Sequence, residues 1–428
     1  MARIARVVPE VSLDRAFDYE IPDALDGQVT LGAKVRIPFG SRKIIGYVVE
    51  FPADPADRAL KPIQEVLGQR AFLPATLIQL AQWMAHYYCA PLAVALQSVL
   101  PKAVRHADAA FKQRLWVEAL VPELPDEALA ALKKARAQMA AWEHLRKNGP
   151  GWLADLTQVS GAAAWRGLAE RNLVSIESRT QDRDPFLHSP VAESSPHEMN
   201  AEQQAALKAV REEIAAEKPR VVLLHGVTGS GKTEVYLQAI AEVLALGKSA
   251  LVLVPEIALT PQTVEHFRAR FIGRKVGVAI LHSHLSSGER HDQWQHIRAG
   301  RARIVIGARS AVFAPLDDLG IIVVDEEHEH SYKQEEAPRY HARDVAVVRA
   351  RMENAVVVLG SATPSMESFY NVQKGKYRLL EMPIRADDKK MPVVRVVDMR
   401  QVARQEKGTP ILSPELKEAI HSRLDRRE

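Results

Sequence analysis

The octapeptide GVTGSGKT at residues 226–233 constrains the fold of this chain more than any other stretch. It lies between an apolar β-branched run, VVLLH, and an amphipathic stretch, EVYLQAIAEVLALG, so a strand, a glycine turn and a helix follow one another. Glycines let backbone amides approach phosphate, and the positive end of the helix dipole points at the same place. The pattern predicts a phosphate-binding loop formed by Gly226, Val227, Thr228, Gly229, Ser230, Gly231, Lys232 and Thr233.

Later apolar runs place this loop in an α/β nucleotide-binding lobe. The runs ALVLVP, RIVIG, GIIVVD and AVVVLG alternate with helical patterns, which is typical of a buried parallel sheet with helices on both faces. In such a lobe Lys232 supplies a mobile positive charge for the β- and γ-phosphates of ATP, and Thr233 places its hydroxyl on Mg²⁺.

Two further motifs follow strands of the same predicted sheet. Asp325 and Glu326 come directly after GIIVV; Asp325 is expected to bind Mg²⁺, and Glu326 to activate the attacking water. The segment GSATPS, with Ser361, Ala362 and Thr363, follows AVVVL and is a candidate γ-phosphate sensor. Taken alone, the acidic run favours a solvated helix start and GSATPS a turn with a helix cap. The upstream phosphate loop favours the functional interpretation of both.

Histidines near these motifs raise a metal alternative. Two His-x-His pairs, His282 with His284 and His328 with His330, could form a zinc site with carboxylates. Nothing in their spacing requires a metal, and His328 is better explained as a catalytic residue beside the nucleotide.

Composition excludes several classes of protein. The 428 residues predict two to four domains, and no apolar run approaches the ~18–20 residues of a membrane span. The amino terminus lacks the features of a secretory signal, and Cys89 is the only cysteine, so the chain contains no intrachain disulfide. A net charge of +4 permits nucleic-acid binding without requiring it. We expect a soluble, cytoplasmic, nucleoid-associated protein.

Pattern changes along the chain predict five segments. Residues 1–105 are expected to form a small β-rich domain with a helical end, and residues 120–180 a winged helix. A polar linker, 181–199, leads to the nucleotide-binding lobe at 200–385, and residues 386–428 begin a further connection.

Read in order, the motifs resemble superfamily 2 helicases, and neighbouring strings narrow the family. GVTGSGKTEVY, LVPEIALTPQT, HSHLSSGER, GARSAVFAP, DEEHEHSYKQEEAPRYHARD and GSATPS are similar to the bacterial replication-restart helicase family PriA, also called primosomal protein N′. The resemblance implies a RecA-like first helicase lobe that uses ATP and Mg²⁺. In the same family the string MNAEQ contains an adenine-reading glutamine, here Gln203.

The amino-terminal strings RAFDYEIP, VRIPFG and ALKPIQEVL resemble this family's domain for the 3′ end of a nascent DNA strand. By that match Asp18 would accept a hydrogen bond from the 3′-hydroxyl, with Phe17 and Tyr19 beside the last base. Gly40 would let backbone amides approach, and Lys61 would neutralise phosphate. Without the resemblance, core aromatics and a solvated turn aspartate would explain the same residues.

The resemblance also implies that Tyr332 and Tyr340 lie in the family's aromatic-rich loop, which couples DNA binding to ATP hydrolysis. Family members continue past residue 428 with a second helicase lobe and a zinc region rich in cysteine. This sequence therefore predicts a fragment or truncated frame without lobe 2 and without zinc.

The expected function is that of an ATP-dependent 3′→5′ DNA helicase that recognises stalled or repaired forks and D-loops and initiates primosome assembly. Expected partners are branched and single-stranded DNA, single-stranded DNA-binding protein and other primosome proteins, with the chain itself a monomer. The fragment is expected to bind forks and ATP without unwinding DNA. Alternatives are a DNA-structure binding module without motor activity, a general superfamily 2 translocase and, less favoured, an RNA helicase.

Overall fold

The computed structural model describes residues 3–11, 15–52, 60–68, 72–105, 112–181, 183, 192–216, 218–274, 276–386, 394–405 and 410–426. The chain divides into two compact units, residues 1–384 and 385–428. Residues 182 and 184–191 of the predicted linker at 181–199 lie outside the described residues.

The amino-terminal region is a five-stranded antiparallel sheet followed by helices. Its strands run in the order β2-β1-β4-β3-β5, with β2 and β5 at the edges. The elements are β1 (Arg3–Pro9), β2 (Phe17–Ile21), β3 (Lys34–Phe39), β4 (Arg42–Glu50), β5 (Glu65–Leu67), α1 (Ala75–Tyr87), α2 (Leu92–Val99) and α3 (Lys102–Arg105).

The next region combines a small antiparallel sheet, in the order β7-β6-β8, with short helices. Its elements are β6 (Lys112–Ala119), α4 (Asp126–Lys134), α5 (Arg136–Asn148), β7 (Gly151–Trp152), α6 (Leu153–Leu156), α7 (Ala162–Glu170) and β8 (Val174–Gln181). Sequence analysis began this region at residue 120 and missed β6, which is the central strand. Ala135, where the backbone leaves helical geometry, separates α4 from α5.

The third region is a seven-stranded, fully parallel sheet in the order β11-β12-β10-β13-β14-β9-β15. Its elements are α8 (Ala201–Ile214), β9 (Val221–Gly226), α9 (Lys232–Ala245), β10 (Ser249–Leu253), α10 (Pro261–Phe271), β11 (Gly277–Leu281), α11 (Ser287–Arg298), β12 (Ala302–Gly307), β13 (Leu319–Val324), α12 (Ala342–Glu353), β14 (Val356–Ser361), α13 (Met366–Gln373) and β15 (Tyr377–Met382). The predicted α/β, multidomain fold class with a RecA-like lobe is confirmed.

Two apolar cores cover the two faces of the parallel sheet. One contains residues of α8, α9 and α10. The other contains residues of α11 and α12 and continues without interruption into α1 and α2. The helical end of residues 1–105 is therefore packed into the core of the nucleotide-binding lobe, whereas the strands of that region retain a core of their own.

The second unit contributes two helices, α14 (Met399–Gln405) and α15 (Pro414–Asp425). Ser413 caps α15 by accepting a hydrogen bond from the backbone amide of Leu416. In the parts of the chain that the structure describes, no helix combines the length and apolar character that a membrane crossing requires.

The structure predicts that residues 112–181 form an independent folding unit. They share one core, which includes Val117 and Trp165, and β6 pairs with β8 at eight positions. A fragment of residues 112–181 should melt cooperatively in circular dichroism. A fragment of residues 120–181 lacks β6 and should show no cooperative transition, because the core face of the sheet is then open. Equal melting of the two fragments would contradict this boundary.

Candidate nucleotide-binding site and DNA-contact residues

Three neighbouring strands bring the predicted nucleotide motifs together. In the order β13-β14-β9, the DEEH residues follow β13, GSATPS begins at the end of β14, and the glycine loop follows β9. Because all three strands are parallel, their carboxyl ends meet at one edge of the sheet, where open α/β folds bind ligands.

The loop after β9 has the backbone expected of a phosphate cradle. Gly229 and Gly231 have φ angles of 81° and 80°, which are unfavourable for residues that have a side chain. Helix α9 begins directly afterwards, at Lys232. The Lys232 ammonium is buried; it donates to the carbonyl of Gly226 at 2.8 Å and lies 4.0 Å from the carboxylate of Glu326. An ammonium has three donors, so the same side chain can also contact a phosphate.

Close packing within the loop fits a bound phosphate. A Cβ at Gly226 would lie 2.5 Å from the hydroxyl oxygen of Ser230. That hydroxyl is buried and has no hydrogen-bond partner within the described part of the protein. Val227 is half-buried, whereas Thr228 and Gly229 are exposed at the tip.

The structure gives Gln203 a structural position that the sequence did not reveal. Its side-chain amide donates to the carbonyl of Ser230 at 3.0 Å, and its side-chain oxygen accepts from the backbone amide of Asn200 at 2.9 Å. The second bond belongs to a capping box at the start of α8. Contact between Gln203 and adenine requires the release of these bonds, and adenine reading stays a prediction.

Asp325 is held in place from two sides. The Tyr236 hydroxyl donates to its carboxylate at 3.1 Å, and the Tyr332 hydroxyl donates to its backbone carbonyl at 2.7 Å. Burial, together with the charge of Glu326, raises the pKa of the Asp325 carboxyl. A Cβ at Gly360 would lie 1.6 Å from the Tyr236 hydroxyl oxygen, so glycine is required there.

The position of Tyr236 has a partial signal in the sequence. It lies four residues after Lys232 on α9, and residues at that spacing share one helix face. Only the neighbouring strands show that this face meets Asp325.

Glu326 and His328 connect the loop after β13 to the end of β14. Glu326 has a φ of 44°, an unfavourable backbone conformation for a residue with a side chain. Its carboxylate lies 3.6 Å from Nδ1 of His328. The imidazole also forms hydrogen bonds with the hydroxyls of Ser361 at 2.8 Å and Thr363 at 3.3 Å. Ala362 lies between these two residues and is half-buried.

The third residue of the acidic run, Glu327, anchors this connection, and sequence analysis gave it no role. Its buried carboxylate accepts from the backbone amide and hydroxyl of Ser365, the hydroxyl of Ser368 and the guanidinium of Arg343. Arg343 is 16 residues away in sequence, so no local pattern could have identified the pair.

The predicted Mg²⁺ residues, Asp325 and Thr233, lie at the same sheet edge as the phosphate loop. A buried carboxylate beside a second carboxylate, that of Glu326, is an environment that a divalent cation would stabilise. The residues present therefore fit a magnesium ion carried by a nucleotide.

The histidine alternative has less support. The rings of His282 and His284 are 5.8 Å apart, while His328 is bonded to Ser361. Within the residues that the structure describes, no group of three or more His, Cys, Asp or Glu side chains is arranged to hold a metal ion.

The predicted coupling tyrosines, Tyr332 and Tyr340, are both buried. Tyr332 is fully buried and bonded to the carbonyl of Asp325. Tyr340 is buried against Phe313, with ring centroids 5.2 Å apart, and burial raises its pKa to about 12. Neither ring face is available to a base in this arrangement.

Three of the predicted 3′-end residues, Phe17, Asp18 and Tyr19, lie on β2 but do not share one face. Phe17 and Tyr19 face the core of the amino-terminal sheet, and the Tyr19 hydroxyl donates to the carbonyl of Pro38 at 3.2 Å. Asp18 points the other way, because side chains alternate along a strand. Its carboxylate accepts two hydrogen bonds from the guanidinium of Arg6, at 2.8 and 3.3 Å. Sequence analysis missed Arg6, which lies on the neighbouring strand.

Gly40 and Lys61 flank the same strands. Gly40 lies in the turn between β3 and β4 with a φ of 58°, and no atom lies within 4 Å of the position where its Cβ would be. Lys61 has an exposed side chain, and its backbone carbonyl accepts from the amide of Glu20 at 3.1 Å. The space beside Gly40 is thus unobstructed, and the approach of a ligand to its backbone stays a prediction, whereas Tyr19 is a core residue.

The fold and the site define a RecA-like nucleotide-binding lobe joined to a β-rich amino-terminal region. The family model for the 3′ DNA-binding domain matches residues 6–101, and that for the DEAD/DEAH box helicase matches residues 200–372. The chain belongs to the PriA family of replication restart proteins.

Curated relatives support this membership along nearly the whole chain. Replication restart protein PriA of Bacillus subtilis is 36% identical over 99% of this chain and 61% of its own length. The Haemophilus influenzae protein is 38% identical over 93% of this chain and 54% of its own length. The Chlamydia trachomatis protein is 36% identical over 98% of this chain and 57% of its own length. The chain thus spans little more than half the length of these relatives.

The contact between Gly360 and Tyr236 yields a stability prediction. Gly360→Ala should lower the free energy of unfolding by about 1–3 kcal/mol, because the added methyl overlaps the Tyr236 hydroxyl. The double variant Gly360→Ala/Tyr236→Phe should recover part of this loss in urea unfolding. Gly161→Ala is the control, since no atom lies within 4 Å of its added Cβ. A Gly360→Ala variant with an unchanged free energy of unfolding would contradict this packing.

Proposed function

We propose that this chain carries the ATP-binding lobe and the DNA 3′-end recognition region of an ATP-dependent 3′→5′ DNA helicase. In this proposal the enzyme acts at stalled or repaired forks and D-loops and initiates primosome assembly for replication restart. The observation that carries the proposal is the meeting of Lys232, Asp325, Glu326 and the His328–Ser361 pair at one sheet edge, in a chain that also matches a 3′ DNA-binding domain.

Each residue has a distinct task in nucleotide hydrolysis. Lys232 binds the β- and γ-phosphates, and Glu326, on its strained backbone, orients a water and accepts its proton. Asp325, held by Tyr236, and Thr233 hold Mg²⁺, which neutralises phosphate charge when it is bound. His328 contacts Ser361 and Thr363, so a change at the γ-phosphate can shift the end of β14. Glu327 keeps that connection rigid.

Asp18 is proposed to recognise the 3′-hydroxyl of a nascent strand. A carboxylate has about four acceptor positions, so the two hydrogen bonds from Arg6 leave capacity for a hydroxyl donor. Arg6 also fixes the orientation of the carboxylate. Phosphates would lie near Lys61 and the open backbone at Gly40, and single-stranded DNA-binding protein and other primosome proteins are proposed partners.

Lys232→Ala tests the nucleotide site. The variant should lose most ATP binding, measured with a fluorescent ATP analogue, because the ammonium near the phosphates is gone. Binding to a model fork should stay within about twofold, since Lys232 is buried in the sheet edge. Glu326→Gln is the control, because it removes the base and leaves Lys232 and Asp325 in place. If neither the wild type nor the variants bind ATP but all of them still bind forks, the alternative function applies, which is a DNA-structure binding module without motor activity.

Asp18→Asn tests 3′-end recognition. Binding should weaken by about 1.5–3 kcal/mol on forks with a 3′-hydroxyl at the junction, because a charge-assisted hydrogen bond is lost. Forks ending in a 3′-phosphate should bind the wild type and the variant equally. A melting temperature recorded for each protein separates binding from folding. If the variant lost equal affinity for both forks, the role of Asp18 would be limited to its ion pair with Arg6.

A further inference from the structure

An aromatic cluster on α1 takes no part in the sites described above. Trp83, Tyr87 and Tyr88 form what we call the aromatic stack. The rings of Trp83 and Tyr87 are nearly parallel, with centroids 4.8 Å apart and planes 19° from each other. Tyr88 meets both rings edge-on, at 5.9 Å from Trp83 and 5.0 Å from Tyr87.

Tyr87 is exposed to an unusual degree for an aromatic residue. Its exposed fraction is 61%, the largest among the exposed Phe, Tyr and Trp side chains of the described residues. Trp83 covers one face of its ring, and because 61% of the residue is nevertheless exposed, solvent reaches the opposite face. An open ring face at the end of a stack is a surface on which a further flat ring can stack.

The stack also borders the helicase lobe. The backbone amide of His341 donates to the Tyr88 hydroxyl at 3.2 Å, and the Lys333 ammonium lies 5.6 Å from the centroid of the Tyr88 ring. Lys333 and His341 pair as an antiparallel bridge at the base of the loop that contains Tyr340. The residue before that bridge, Tyr332, bonds the carbonyl of Asp325. A ligand on the stack is therefore one short loop away from the nucleotide site.

The charges beside the stack include a cation suited to phosphate. Lys333 is exposed, and its ammonium donates to one carbonyl, that of Arg339, at 2.5 Å. Two of its three donors can still serve a ligand. The same loop also carries the exposed acidic residues Glu335 and Glu336. A flat ring next to one accessible ammonium suits a single nucleotide better than a run of phosphates.

We propose that the aromatic stack is a base-stacking site for single-stranded DNA, in which one base lies on the open face of Tyr87 and an adjacent phosphate contacts Lys333. The inference rests on the proposed function, because it takes DNA as the ligand. The location supports it: residues 6–101 match a 3′ DNA-binding domain, and this segment includes the stack, whereas Tyr19 within it is buried. The two tyrosines of the predicted coupling loop, Tyr332 and Tyr340, are also buried.

Anisotropy of a fluorescein-labelled oligothymidylate, at fixed ionic strength, tests the site. Tyr87→Ala should weaken binding about 5- to 150-fold, the range measured for loss of one stacked base. Tyr87→Phe should bind like the wild type, because stacking needs the ring and not the hydroxyl. Tyr370→Ala is the matched control: Tyr370 is 56% exposed with the Lys374 ammonium 5.2 Å from its ring centroid, but it lies on α13. It should change nothing.

Oligonucleotides with one abasic nucleotide at successive positions provide the second measurement. For the wild type, one position should be sensitive to base removal, and in Tyr87→Ala that sensitivity should disappear. The stacking site would be overturned if Tyr87→Ala bound DNA as tightly as the wild type. It would also be overturned if Tyr87→Ala and Tyr87→Phe lost DNA affinity equally. Either result would leave the proposed function intact. A wild type that does not bind DNA would overturn the proposed function itself. A lowered melting temperature with abasic sensitivity retained would assign Tyr87 to folding.

Discussion

The buried carboxylate of Glu327 is the interaction on which the arrangement of the nucleotide site depends. A buried charge without partners would cost several kcal/mol, and here four hydrogen bonds from three residues, Ser365, Ser368 and Arg343, compensate it. These bonds join the loop after β13 to the start of α13 and to α12. Because Glu327 is immobilised, its neighbours Glu326 and His328 are directed towards the phosphate loop and Ser361.

The amino-terminal helices connect the region that matches the 3′ DNA-binding domain model to this site through packing. Residues of α1 and α2 share one core with α12 and with the strands of the parallel sheet. The Tyr88 hydroxyl then joins α1 to the amide of His341, at the start of α12. A displacement of α1 cannot leave the loop between Lys333 and His341 unchanged, since close-packed cores transmit strain. In the proposed function, this packing is a physical route from bound DNA to the nucleotide.

The central strands were predictable because a continuous run of apolar residues indicates a strand that is buried on both faces. Strands β9, β10, β12, β13 and β14 are continuous apolar runs in the middle of the sheet. The two strands that sequence analysis missed, β11 and β15, are its edges, where one side lacks a neighbouring strand. β15, YRLLEM, includes charged residues, whereas β11, GVAIL, is as apolar as the central strands, so composition does not explain its omission. β6 was missed for a different reason. Its sequence, KQRLWVEA, shows neither a continuous apolar run nor a regular alternation of polar and apolar residues. Only pairing with β8 and β7 identifies it as a central strand.

The sequence by itself determined which chemical groups are present and where they lie along each element. Local spacing defines three features: a glycine loop between a strand and a helix, an acidic run after a strand, and GSATPS after another strand. Local spacing is also enough to place these features at one edge of a parallel sheet. Only the tertiary structure decided which partners orient those groups. Arg6 meets Asp18, Arg343 meets Glu327 and Tyr236 meets Asp325 across distances of 12, 16 and 89 residues. Whether a tyrosine is a core residue like Tyr332 or an open surface like Tyr87 follows from which elements cover it, and burial of a side chain is a property of the packed chain as a whole.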